Sequence, residues 1–167
     1  PQVPIIGTVP VIKTASKLTK NGRIGILSTK QTARSNNQKD LIKKFVLRSK
    51  IPLRGRKIKA LNLGTDKLVP IVENGAASKI DINKILAKEL KPFQDFRVDT
   101  LALGCSHFPF LAKEIRQILG KNVQVLDSSG AIARQTKRVL ISENLISEYN
   151  NSVNTFFTTG NLEKFKN

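Results

Sequence analysis

The only cysteine and the only histidine of the chain lie two residues apart, in the stretch "VDTLALGCSHFPFLAKEI". A cysteine thiolate can act as a base or a nucleophile, and a neighbouring imidazole can support it in either role. Cys105 and His107 are therefore candidates for catalysis. The alternative is a small buried cysteine at the end of a strand, beside a histidine that caps a helix. The local pattern alone favours neither interpretation.

The residues around this pair predict how it is positioned. Leu101 to Leu103 read as a buried strand, Gly104 permits a tight turn, and Pro109 suits the first turn of a following helix. Cys105 and His107 then lie on a loop at the carboxyl end of a strand, where open α/β sheets carry their reactive groups. The free backbone N–H groups at the start of the helix favour a negatively charged sulfur.

Short apolar runs alternate with longer segments of helical period along the whole chain, which is typical of an α/β protein. The predicted strands are Val3–Ile6, Arg23–Leu27, Lys57–Leu61, Thr100–Leu103, Val123–Leu126 and Thr155–Thr158. The predicted helices lie near Val9–Thr19, Thr32–Leu47, Asp81–Leu90, Pro109–Leu119 and Gly130–Asn144.

The composition limits the class of protein. With 167 residues and 40% apolar content, the chain can bury one sizeable core. It has no apolar run of the roughly 20 residues that a membrane span needs, and no signal-peptide pattern at its start. Because one free cysteine suits a reducing compartment, we expect a cytoplasmic protein. The chain contains no Met and opens on Pro1, so we also expect it to be a fragment.

The formal net charge of +17 is unevenly distributed. Residues 1–97 hold 21 Lys and Arg against 6 Asp and Glu, whereas residues 98–167 hold 8 against 6. The densest basic run, Lys43 to Lys59, has eight bases and no acid, and could hold phosphates. It contains a single aromatic residue, Phe45, for stacking on bases. We therefore favour a solvated basic surface and expect no nucleic-acid partner.

Several stretches together carry a family resemblance. "DTLALGCSHFPFL" resembles the second catalytic-cysteine motif of glutamate racemases, in the aspartate/glutamate racemase superfamily. "VPIIGTVPVIKTA", "GRIGILSTKQTARS" and "KLVPIVENG" resemble further segments of that family, in the same order. "VQVLDSSGAIA" and "FFTTGNLEKF" resemble its last strands. The resemblance runs from about Pro4 to Phe165.

The resemblance implies a fold of two similar flavodoxin-like, three-layer α/β domains with the active site between them. On that basis we expect residues 1–97 to form the second domain, complete or nearly so. Residues 98–167 are then expected to be the C-terminal part of the first domain, on a sheet whose early strands are missing. The family's first catalytic cysteine would precede Pro1. A homodimer is left open as the oligomeric state.

The resemblance also implies an activity: interconversion of L-glutamate and D-glutamate for peptidoglycan by proton transfer between two cysteines, without a cofactor. Inverting a carbon needs a base on one face and an acid on the other. Cys105 matches the second cysteine, which removes the α-proton of L-glutamate, and His107 matches the histidine that assists it. Glu73 matches an acidic residue near that histidine, and Ser106 stands where a threonine helps to hold the substrate carboxylate.

Departures from the family pattern keep two alternatives open. Ser106 replaces a threonine and Phe108 a tyrosine, which leaves a racemase of aspartate or another acidic amino acid as an alternative. The second alternative is an inactive remnant that serves as a basic binding module for nucleic acid or another partner. We expect no metal site, because one cysteine and one histidine cannot supply the three or four ligands that zinc needs.

Overall fold

The computed structural model describes residues 3–8, 10–47, 57–73, 82–147, 153 and 155–166. Across these residues a four-stranded parallel sheet forms the centre, with strand order β2-β1-β3-β4. The strands are β1 (Arg23–Ser28), β2 (Lys59–Gly64), β3 (Thr100–Leu103) and β4 (Gln124–Leu126). The α/β class predicted from the sequence is confirmed.

Helices connect and flank these strands. They are α1 (Ile12–Leu18), α2 (Lys30–Arg34), α3 (Asn36–Ile42), α4 (Leu68–Glu73), α5 (Ile82–Asp95), α6 (Ala112–Leu119), α7 (Ser129–Ser142) and α8 (Leu162–Lys166). A π-helical turn, Lys43–Leu47, continues α3, and a 3-10 turn, Phe108–Leu111, leads into α6. Within the described ranges, no helix has both the length and the apolar character needed to cross a membrane.

Both faces of the sheet are buried, as expected of parallel strands joined by helical crossovers. Leu27 of β1 and Leu101 of β3 face one cluster, which packs against α4, α5 and α6 through residues such as Leu86 and Ile115. The alternate residues of the same strands face the other cluster, which contains Ile12 and Ala15 of α1 and Val46 of the π-helical turn. The fold therefore has three layers, with helices on both faces of the central sheet.

The strand pairing corrects one prediction. Strand β3 pairs in parallel with β1, with Ile24 opposite Thr100 and Leu27 opposite Leu103. The expectation that residues from Val98 onward belong to a different sheet from the preceding ones is therefore wrong. Val98 and Leu101 pack in the same core as α5, so burial of these apolar residues joins the two segments.

The predicted elements differ from the observed ones mainly at the ends of the chain. Val3–Ile6 and Thr155–Thr158 were predicted as strands, but they form no strand in the structure. Strand β2 begins two residues later than predicted and extends to Gly64. Helices α4 and α8 were not predicted. The basic run Lys43 to Lys59 lies partly outside the described residues, since residues 48–56 are not among them.

Asp99, just before β3, fixes the turn that leads into β1. One carboxylate oxygen accepts a hydrogen bond from Thr19 Oγ1 at 2.6 Å, and the other accepts from the backbone N–H groups of Lys20 and Asn21, each at 2.6 Å. The Asn21 side chain in turn donates to the carbonyl oxygen of Arg97 at 2.9 Å. These bonds tie together segments about 80 positions apart in the chain.

Replacing Asp99 by Ala should lower the free energy of unfolding by roughly 1–3 kcal/mol, because the turn's N–H groups and the Thr19 hydroxyl lose their acceptor. Asp95→Ala is a matched control, since its carboxylate is exposed and, among the described residues, forms an i,i+4 ion pair with Lys91; it should change stability by at most about 0.5 kcal/mol. Urea unfolding followed by circular dichroism measures both. Equal losses in the two variants would contradict the assigned role of Asp99.

Candidate active site

The candidate site lies at the carboxyl edge of the sheet, where β3 ends. Cys105, Ser106 and His107 occupy the loop between β3 and the 3-10 turn, and Pro109 lies in the first turn of that element, as the sequence predicted. Close packing favours glycine at position 104, where the sequence predicted a tight turn. A Cβ atom at Gly104 would lie 3.1 Å from the Cβ of Ser28, so the close approach of β1 favours glycine.

The three side chains predicted to be catalytic lie in a row, with His107 between Cys105 and Glu73. The Sγ of Cys105 lies 3.8 Å from Nδ1 of His107, and Nε2 of the same ring lies 3.0 Å from Oε1 of Glu73. With the Nε2–H donating to the Glu73 carboxylate, Nδ1 is left as an acceptor facing the thiol. Glu73 comes from the end of α4, which places it beside the loop. The arrangement can pass a proton between sulfur and imidazole.

A cavity of about 310 Å³ opens beside the sulfur. Cys105 and Ser106 line it, whereas His107 and Glu73 are not on its wall. The other described residues of the wall are Thr8, Pro10, Thr32, Ser35, Asn37, Gln38, Leu103, Gly104, Pro109, Asp127, Ser128, Ser129 and Ile132. The volume is at the small end of the range of ligand sites, and the hydroxyl-rich wall suits a small polar molecule.

Several wall residues were not predicted as site residues. Thr32 and Ser35 follow β1, and Asp127 and Ser128 follow β4. Because β1, β3 and β4 are parallel neighbours, the loops after them meet at one edge of the sheet. Hydroxyl-bearing residues directly after a predicted strand were the signal that could have identified them.

A buried hydrogen-bond network supports the wall behind the cysteine loop. Gln38, only 1% exposed, donates from Nε2 to Ser28 Oγ at 3.1 Å and to Asn62 Oδ1 at 2.7 Å. Asn62 donates in turn to the carbonyl oxygen of Ala33 at 2.9 Å, which fixes the orientation of its amide. The network holds α2 and α3 against β1 and β2. It therefore positions the Thr32 side of the cavity.

The helix that carries Glu73 is fixed to the neighbouring helix by an ion pair. Lys67 Nζ, just before α4, lies 2.8 Å from Oε1 of Glu89 on α5. Burial raises the pKa of Glu89, but hydrogen bonds from Lys67 and Thr65 outweigh it and leave that pKa below its usual value. Glu89 thus stays ionised at neutral pH and restrains the start of α4.

No group of three or more His, Cys, Asp or Glu side chains within the described ranges is arranged to hold a metal ion.

The sequence matches the Asp/Glu/hydantoin racemase family over residues 1–136. The chain belongs to this family. The glutamate racemase of Shewanella halifaxensis (strain HAW-EB4) is 40% identical over 151 residues, which cover 90% of this chain and 52% of the relative. The family resemblance that the sequence indicated is thereby confirmed.

Solved racemase structures share the fold. Escherichia coli glutamate racemase, in complex with L-glutamate and the activator UDP-MurNAc-Ala, superposes with a TM-score of 0.70 at 32% identity, covering 84% of this chain and 50% of that one. A glutamate racemase isoform from Bacillus anthracis superposes with a TM-score of 0.75 at 27% identity, covering 98% of this chain and 58% of that one. The chain thus spans about half the length of the racemases that it matches.

Proposed function

We propose that the whole protein containing this chain is a glutamate racemase, which interconverts L-glutamate and D-glutamate without a cofactor. The observation that carries the proposal is the line from Cys105 through His107 to Glu73 beside a small polar cavity. The relatives named as glutamate racemases and the L-glutamate bound in the Escherichia coli structure support the choice of substrate. D-Glutamate would then supply peptidoglycan synthesis.

In the proposed reaction, the Cys105 thiolate removes the α-proton of L-glutamate. The Cα–H bond breaks, an S–H bond forms, and the electron pair is delocalised onto the α-carboxylate. His107 assists by exchanging a proton with the sulfur, while Glu73 holds the imidazole tautomer that leaves Nδ1 free to accept. Ser106, exposed on the cavity wall, hydrogen-bonds the substrate carboxylate.

A second acid must deliver a proton to the opposite face of the α-carbon, because Cys105 reaches one face only. We assign that acid to the part of the racemase length that this chain does not span, where the family resemblance puts another cysteine. The net charge of +17 favours the approach of an anionic substrate. We place the reaction in the cytoplasm, in agreement with a free, unpaired cysteine.

The test follows the optical activity of L-glutamate with the whole protein, in buffer that contains a chelator and no pyridoxal phosphate. Circular dichroism should decay to zero, and D-glutamate should approach the same end point from the other side. The 167-residue chain by itself should leave the signal unchanged, since it would lack the second acid. L-Aspartate is the control substrate. A whole protein that racemised aspartate but not glutamate would show that the proposed substrate is wrong.

A further inference from the structure

A second, strongly basic cleft lies at the other edge of the sheet. Its volume is about 340 Å³, and its described lining consists of Asn21, Gly22, Arg23, Lys57 and Lys59. Arg23 opens β1 and Lys59 opens β2, so the cleft is at the amino ends of these strands. Because the six residues of β1 are separated by five steps of about 3.3 Å, the cleft is roughly 16 Å from the edge that carries the cysteine loop.

The three cations of this cleft line the same small space and therefore repel one another. Arg23 and Lys59 are register partners in the parallel pair of β1 and β2, so their side chains leave the same face of the sheet. Like charges directly opposite each other destabilise a sheet. Lys57 lies two residues before Lys59 and adds a third charge to the same lining.

No acidic side chain of the described residues pairs with these three cations. The ion pairs found there join Lys30 to Asp66, Lys67 to Glu89, Lys91 to Asp95 and His107 to Glu73. Asp99 is the nearby acid, but both of its oxygens accept hydrogen bonds from residues 19–21. Arg23, Lys57 and Lys59 are all exposed, so a dissolved anion can reach them.

We propose that this cleft binds a small anion with two or more linked phosphate groups. Arg23 supplies a planar guanidinium that can hold two phosphate oxygens at once, and Lys57 and Lys59 supply point charges on either side. The volume is that of a small-molecule site. No apolar or aromatic side chain is among the described lining residues, so the phosphates themselves are the recognised groups. The bound charge offsets the repulsion between β1 and β2.

The test compares two triple variants of the whole protein that lose the same charge. The cleft variant is Arg23→Gln/Lys57→Gln/Lys59→Gln, and the control is Lys88→Gln/Lys113→Gln/Lys137→Gln, at exposed positions on helices that do not line the cleft. Calorimetric titration with inorganic tripolyphosphate should give one site on the wild type. The cleft variant should bind roughly 10-fold more weakly or worse, since three contacts to phosphate are lost. The control should stay within about 2-fold, since only distant screened charge is removed.

Further titrants distinguish the sources of the phosphate. Equal affinity for ATP and tripolyphosphate would support a free oligophosphate, whereas tighter binding of ATP would support a nucleotide. Equal weakening in both triple variants would overturn the proposal, because it would show a response to overall charge. The proposal would also be overturned if the cleft variant kept its affinity for tripolyphosphate but no longer bound a DNA duplex. The thermal melting of the ligand-free cleft variant, which should be no lower than that of the wild type, confirms that it is folded.

Discussion

Replacing Cys105 by Ala in the whole protein should lower the turnover of glutamate by about 10²–10⁴-fold or more, the usual size of a general-base contribution. The sulfur is the group on the cavity wall that faces Nδ1 of His107, at 3.8 Å, and a methyl group cannot take a proton from carbon. Cys105→Ser should leave a trace of activity at most, because a hydroxyl is a far weaker base than a thiolate. Circular dichroism of L-glutamate over time measures both variants.

Solvent exchange separates a lost base from a damaged fold. In D₂O, the Cys105→Ala variant should no longer exchange the α-proton of L-glutamate, because the base on that face is absent. Exchange at D-glutamate depends on the opposite face and should survive. If both enantiomers still exchanged at the wild-type rate, Cys105 would not be the base. If both stopped while thermal melting showed loss of structure, the variant would instead report folding, and Cys105→Ser would become the informative substitution.

Replacing Phe93 by Ala should lower the free energy of unfolding by about 3–5 kcal/mol, as for other fully buried aromatic residues. Phe93 is 0% exposed and packs against the sheet from α5. Its ring lies against Gly25 of β1, where a Cβ atom would be 2.6 Å from Cδ1 of Phe93. Phe110→Ala is the matched control, since that ring is 77% exposed, and it should change stability by about 0.5 kcal/mol at most.

The same contact predicts a coupling between two positions. Gly25→Ala alone should cost about 1–3 kcal/mol, because the new methyl group meets Phe93 and Leu101 at 2.6 and 2.7 Å. With Phe93 already replaced by Ala, that methyl group has room on one side, so the double variant should lose less than the sum of the single losses. Urea unfolding of the three variants gives the comparison. Strictly additive losses would mean that the ring does not restrict position 25.

The sequence predicted the central strands well and the ends of the chain poorly. Strand Thr100–Leu103 was predicted with its observed bounds because it is a short, continuous apolar run that is buried on both faces. Val3–Ile6 is also mostly apolar, but Val3 and Ile5 are 71% and 82% exposed, and this segment pairs with none of the four described strands. Composition indicates which residues favour a strand, but only a neighbouring strand supplies the hydrogen bonds.

Two prolines explain the errors in the helices. Helix α4 was not predicted, yet the proline inside it is tolerated because Pro70 lies in the first turn, where its missing N–H would have no intrahelical partner. Helix α5 was predicted to end at Leu90, before Pro92, but it continues to Asp95. The burial of Phe93 holds that last turn in place. This tertiary contact outweighs the local preference to end at proline.

The candidate site was only partly accessible to sequence reasoning. Cys105 and His107 are neighbours along the chain, so their proximity follows from the motif itself. Glu73 is 34 positions before His107, and only the family resemblance could pair them; the structure places their side chains 3.0 Å apart. The hydroxyl groups after β1 and β4 needed the strand order, which brings those loops beside Cys105.

The stability of helix α7 should depend on whether the cavity holds a ligand. None of its residues is buried, although Ser129 and Ile132 in its first turn form part of the cavity wall. The face of this 14-residue helix that carries Ile132, Gln135, Thr136 and Val139 is only half-buried, so α7 gains little of the packing energy that stabilises most helices in proteins. By thermodynamic linkage, a molecule that contacts Ser129 and Ile132 and binds the helical form of α7 more tightly than the unfolded form also shifts the helix–coil equilibrium of α7 toward helix. Slowed hydrogen exchange along α7 would therefore report occupancy of the cavity.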